Sequence, residues 1–206
     1  MSQFFQIHTD NPQYRLIKQA ASIIENNGVV IYPTDTTYAL ACCIGNKAAI
    51  DRIRQIRQLD EKHNFTLICR DLSDLGIYAK VDTIAFRLLK TYTPGPYTFI
   101  LEATREVPRM LMHPKRRTIG LRVPNFAITQ ALLAELKVPL MTTSLIMSGR
   151  TLPMTDPYEI RDLLEKRVDL IIDGGMGGVD VSTVVSLVND KIEVIRVGLG
   201  DPSPFQ

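Results

Sequence analysis

The sequence has no tryptophan and only three cysteines, Cys42, Cys43 and Cys69, with no CxxC spacing among them. An odd count with two of the three adjacent argues against a disulfide framework, so a reduced, cytoplasmic setting is expected. Histidine is equally scarce. His8, His63 and His113 stand apart from one another and from the cysteines, so no zinc-ligand spacing exists and no metal site is expected. Neither charge predominates: 24 basic side chains face 22 acidic ones, for a formal net charge of +2. Such a balance implies neither a nucleic-acid binder nor a membrane-surface protein, unless basic groups cluster locally. No window of about 18 apolar residues occurs, so no membrane span is expected. The opening MSQFFQIHTD lacks the basic start and apolar run of a signal peptide.

What is present is a chain of 206 residues with 45% hydrophobic content, enough for a large core. A single domain over residues 1–206 is expected. Asn11 and Pro12 are read as the cap and first residue of a helix that Gly28 closes. VVIY then reads as a buried strand. Further helices are expected over Asn46–Leu59, Asp71–Ala79, Asp82–Tyr92 and Asn125–Leu136. A last one starts at Asp156, with Glu159 at the capping-box position. Strands are expected at FTLIC, YTFILEA, TIGLRVP, PLMTTS, VDLIID, STVVSLV and KIEVIRVG. Helices alternating with strands, with consecutive strands late in the chain, imply an α/β fold with a large mixed sheet. The stretch Ser148–Thr155 is read as the flexible segment.

Five pieces can carry chemistry. PTDTTY ends a strand in small hydroxyls, which is either a turn satisfied by its own side chains or one wall of a pocket. Were the strand to continue, Thr34 and Thr36 would face one side and Asp35 and Thr37 the other. TPGPYTF is a turn into a strand. GLRVP places Arg122 in an apolar strand, where it must reach a carboxylate, a phosphate or solvent. TTSLIMSG ends another strand in Thr142, Thr143 and Ser144. IIDGGMGG places Asp173 to cap a turn, with backbone amides that could bind an anion. No GKT or GKS follows, so it is not a Walker loop.

In this order PTDTTYAL, IRQIRQL, PGPYTFIL, GLRVP, TTS…SG, DGG…STVV and IRVG resemble the YrdC-like family over Gly28–Gly198. That family comprises the threonylcarbamoyl-AMP synthases and their YciO-type relatives. The resemblance implies a single YrdC-like domain, a twisted mixed sheet flanked by helices, with a concave basic face. It implies nucleotidyltransferase chemistry: L-threonine, bicarbonate and ATP give threonylcarbamoyl-adenylate and pyrophosphate, for modification of a tRNA adenosine. ATP would be a substrate accompanied by Mg²⁺, with no tightly bound cofactor.

The resemblance also implies roles. Thr34, Thr36, Tyr38, Thr143 and Ser182 fall on the threonine side. Arg57, Arg122, Ser144, Ser148 and Arg196 fall on the nucleotide side. Arg52, Arg54 and Arg70, near Lys62 and His63, and the run Lys115, Arg116, Arg117 are candidates for contact with tRNA or structured RNA; as ordinary sequence features they are solvated faces. Four positions depart from the synthase pattern: Arg57 stands where it has Lys, Leu59 and Ile146 where it has Arg and Asn, and Ala39 where it has Gly. They associate the chain with the YciO-type branch and leave alternatives open: a synthase, a double-stranded RNA or tRNA binder without the chemistry, or an enzyme removing the same modification. Monomer and homodimer are equally open.

Overall fold

The computed structural model describes residues 1–60, 63–189 and 191–206; Lys62 lies outside them. Ten strands form one mixed sheet in the order β1-β8-β2-β3-β7-β4-β6-β5-β9-β10. The strands are β1 (Gln3–Gln6), β2 (Val30–Pro33), β3 (Tyr38–Cys43), β4 (Thr66–Ile68), β5 (Tyr97–Glu102), β6 (Thr118–Arg122), β7 (Leu140–Ser144), β8 (Leu170–Asp173), β9 (Thr183–Val188) and β10 (Lys191–Arg196). The helices are α1 (Tyr14–Glu25), α2 (Lys47–Arg57), α3 (Leu72–Tyr78), α4 (Thr83–Tyr92), α5 (Ala127–Leu136) and α6 (Pro157–Leu164). None of the described helices is long and apolar enough to cross a membrane.

Local chemistry sets most helix starts. Asn46, Asp71, Asp82 and Asp156 each accept a backbone N–H from the first turn of α2, α3, α4 and α6. The reading of α1 needs correction. The amide of Asn11 is spent on His8 Nδ1, and the helix begins at Tyr14 behind an uncapped Gln13. The Glu159 carboxylate pairs with Arg150 instead of closing a capping box. β1 and β3 were not anticipated. β1 is a short edge strand, and β3 carries two cysteines and two alanines in place of the β-branched residues that mark strands.

Strand alternation divides the core between the two faces of the sheet. On one face, α2, α3, α4 and α6 cover a cluster that includes Ile31, Tyr38, Leu40, Phe99, Leu121 and Met141. On the other face, of the described helices, α1 and α5 alone pack, against Val30, Tyr32, Ala41, Leu140 and Leu170. They cover the β8-β2-β3 side and leave the second face over β4, β6, β5 and β9 without a helix. That half-covered face positions the site.

Candidate functional site

A cavity of about 450 Å³ occupies the uncovered half of the second face. Its floor comes from period-2 alternation in strands that are far apart in sequence. Thr66, Thr98, Thr118, Thr142, Ser144 and Ser182 line it, while Leu67, Phe99, Met141 and Leu145, each next to one of them in the chain, are buried in the opposite core. Gly120 lies mid-floor between Thr66 and Ile100. A Cβ there would stand 3.1 Å from Thr66 Oγ1 and 3.3 Å from Thr98 Cγ2. Glycine inside a strand marks such places of close approach.

PTDTTY is the turn of the β2–β3 hairpin, not a continuing strand. Thr34 Oγ1 accepts the amides of Thr36 and Thr37, each at 3.2 Å, and donates to the Thr37 carbonyl at 2.7 Å. The turn therefore pairs the residues differently from simple alternation. Thr34 and Thr37 line the cavity, whereas Asp35 and Thr36 hold Arg122. Arg122 is buried and ion-paired with Asp35; its Nη1 donates to Thr36 Oγ1 at 2.9 Å, and its Nε has no partner among the described residues. Asp35 also accepts the Asn125 amide at 3.1 Å, which fixes the chain entering α5.

Arg57 ends α2 and reaches around the end of β7. Its Nε donates to the Ile146 carbonyl and its Nη1 to Thr143 Oγ1, both at 2.7 Å. It forms no ion pair among the described residues, and burial lowers its pKa to about 10, so it is cationic at neutral pH. His63 Nε2 lies 3.1 Å from the same Thr143 oxygen. Burial, then the neighbouring Arg57, lowers the imidazole pKa below 6.5. At the other side Arg196 donates to the Ser182 carbonyl at 2.8 Å, and Ser182 Oγ lies 2.8 Å from Thr98 Oγ1. Burial and the nearby Arg122 lower the Arg196 pKa. Arg116 completes the cations of the lining, which contains no Asp or Glu among the described residues.

The structure thus brings together Thr34, Thr143, Ser144, Ser182, Arg57, Arg122 and Arg196 around one cavity, with Thr36 directly behind Arg122. Tyr38 is not in the lining. Its ring is in the opposite core, and its hydroxyl donates to the Gly175 carbonyl at 2.7 Å while accepting the Gly174 amide. Ser148 is exposed and outside the lining. The segment 148–155 is anchored at buried Met154, whose amide donates to the Leu145 carbonyl. Gly177 and Gly178 serve close packing: a Cβ on Gly178 would lie 2.2 Å from the Thr36 carbonyl oxygen, and one on Gly177 would lie 2.7 Å from the Tyr38 ring. Asp173 does cap this turn, accepting the Gly175 amide at 2.8 Å.

The basic candidates separate. Arg52 grips Asp169 with two guanidinium nitrogens, at 2.7 and 3.2 Å. Asp169 precedes β8 and bonds the Val29 amide and carbonyl, so it sits at the opposite end of β2 from Thr34, about 15 Å away at the usual strand rise. Arg54 pairs with Asp51 and lies over the Phe65 ring; Arg70 pairs with Asp71 and Asp74. Lys115 and Arg117 are exposed, and only Arg116 of that run reaches the cavity. Sequence reading passed over His63, Asn64, Thr66, Thr98, His113 and Thr118. Their signal was available in part, as hydroxyls alternating with apolar residues in TIGLR and YTFIL. Among the described residues, no group of three His, Cys, Asp or Glu is placed to hold a metal.

Comparison with known proteins points to one family. The Sua5–YciO–YrdC family, described as "Telomere recombination", matches residues 22–198. The uncharacterized protein YciO of Escherichia coli K12 is 56% identical over 100% of both chains. Its crystal structure matches with a TM-score of 0.96. A putative threonylcarbamoyl-AMP synthase of Methanocaldococcus jannaschii is 31% identical, over 85% of this chain and 82% of its own. The crystal structure of P. abyssi Sua5 complexed with L-threonine is 25% identical, with a TM-score of 0.87 over 95% of this chain and 57% of that one. The ten-stranded sheet, the family match across most of the sequence and a full-length relative more than half identical together place this chain in the Sua5–YciO–YrdC family.

Proposed function

We propose that the cavity binds L-threonine beside ATP and forms threonylcarbamoyl-adenylate from L-threonine, bicarbonate and ATP. The observation that carries this reading is Arg57. It is a substantially buried guanidinium with no carboxylate partner among the described residues, oriented by Thr143 and Ile146 at the edge of a hydroxyl-lined cavity. Holding a cation out of water is costly, and an anionic ligand offsets that cost. The threonine amine and bicarbonate condense to a carbamate with loss of water. A carbamate oxygen then attacks the α-phosphorus, and pyrophosphate leaves. The protein's part is to hold the reactants in line and stabilise phosphate charge with fixed donors. Mg²⁺ would arrive with ATP, held chiefly by its phosphates, since no carboxylate of the described residues lines the cavity. The L-threonine-bound Sua5 structure and the synthase relatives support the substrate assignment.

A second reading has its own observation. Leu59 packs into the opposite core and Ile146 lines the cavity, so neither offers a polar group to a nucleotide. That favours a ligand whose adenosine is already part of modified tRNA, with removal of the threonylcarbamoyl group as the reaction. RNA would then be held by Lys115, Arg116 and Arg117, since Arg52, Arg54 and Arg70 are engaged with acids. One pair of assays separates the readings. Pyrophosphate release that requires both threonine and bicarbonate supports the synthase. Its absence, together with loss of the modification from tRNA incubated with the protein, supports the second.

A further inference from the structure

The cations of the cavity are not one cluster. β4 and β6 run parallel with Thr66 opposite Gly120 and Ile68 opposite Arg122. Asn64 therefore comes level with Thr118. The approach to β4 brings His63, with Arg57 bonded to the same Thr143 oxygen, to the N-terminal end of these two strands. The approach to β6 brings His113 and Arg116 to that same end. Arg122 closes the other end of β6, where Thr98 comes level with it and Arg196 is bonded to Ser182. Four residue steps along β6 separate the ends, about 13 Å at the usual rise.

The two ends differ in charge. At the Arg122 end, Asp35 cancels one of two guanidinium groups. At the other end neither Arg57 nor Arg116 forms an ion pair among the described residues. His113 adds a donor of fixed sense. Its Nδ1 accepts the amides of Lys115 at 3.3 Å and Arg116 at 3.1 Å, so the ring proton sits on Nε2. Neither residue was marked for this site by its sequence context, and the connection that carries them lies between β5 and β6.

We propose that His113 and Arg116 complete, with Arg57 and His63, a polyphosphate-binding end of the cavity, leaving the Arg122 end to a single carboxylate. The doubly cationic end suits a group of several negative charges, and the half-neutralised end suits one. The assignment rests on the synthase reading for the identity of the two anions, but its test does not depend on turnover.

The test is calorimetric titration of the whole chain with inorganic pyrophosphate and, separately, with L-threonine. Arg116→Gln removes an exposed guanidinium that has no recorded side-chain bond. His113→Asn keeps an acceptor for the two turn amides and removes the Nε2 donor. Lys115→Gln removes a neighbouring cation that does not line the cavity. Expected is a loss of pyrophosphate affinity of about tenfold for Arg116→Gln and about threefold for His113→Asn, with L-threonine binding unchanged. Lys115→Gln should stay within about twofold of the parent, as a distant screened charge does. The proposal is overturned if the parent protein does not bind pyrophosphate, or if both cavity variants bind it like the parent. It is also overturned if Lys115→Gln loses as much affinity as Arg116→Gln, or if the cavity variants weaken L-threonine instead. Absence of threonine-dependent pyrophosphate release alone would end the synthase reading while leaving these affinities as measured.

Discussion

Asp35→Ala tests whether the Arg122 ion pair holds the turn of PTDTTY in place. Both side chains are nearly buried, 7% exposed for Arg122 and 12% for Asp35. Removing the carboxylate leaves the guanidinium with Thr36 Oγ1 alone and strips the Asn125 amide of its acceptor. Breaking a buried pair by deleting one partner costs about 3–5 kcal/mol, chiefly for the charge left behind. For a chain of this length that is a fall in Tm of about 6–20 °C. Thermal unfolding followed by circular dichroism would measure it. The double variant Asp35→Ala, Arg122→Met removes the stranded charge, so at least half of the loss should return. Added sulfate should rescue the single variant and not the double one. A loss below about 1 kcal/mol in Asp35→Ala, or a double variant as unstable as the sum of the singles, would refute the reasoning.

Two further outcomes follow from the same geometry. Gly178→Ala would place a methyl 2.2 Å from the Thr36 carbonyl, so the backbone must shift. Overpacking of this kind costs about 1–3 kcal/mol, whereas Gly76→Ala, inside α3 with nothing within 4 Å, should stabilise by about 0.5–1 kcal/mol. Equal urea midpoints for the two variants would count against the close-packing account. His63 should make stability depend on pH. Its folded pKa is below its ordinary 6.5, so between those values the unfolded chain binds more protons than the folded one. The contribution is full above about pH 6.5 and is lost as pH falls toward the folded value. Urea midpoints across pH 5 to 8 should show this decline, and His63→Gln should flatten it; superimposable profiles would show that His63 is not the group responsible.

The helices were legible because their starts are local. Asn46, Asp71, Asp82 and Asp156 cap within three residues of themselves, and no tertiary contact is needed to read them. The buried strands were legible as apolar runs. β3 was hidden because cysteine and alanine carry little strand preference, and with it went the recognition that PTDTTY is a hairpin turn. The order of motifs along the chain pointed to the family, which the comparisons show.

What the sequence determined alone was therefore the helices, the strands other than β1 and β3, and the family. Which arginines meet a ligand was decided only by the tertiary structure. Arg52, Arg54 and Arg57 share six residues of one helix, yet Arg52 closes on Asp169 and Arg54 on Asp51 and Phe65, while Arg57 turns to Thr143 at the cavity. Arg116 and His113 join it from a connection more than fifty residues away. A guanidinium's role depends on whether a carboxylate lies within reach, and that partner is set by strand order and register rather than by its neighbours in the chain.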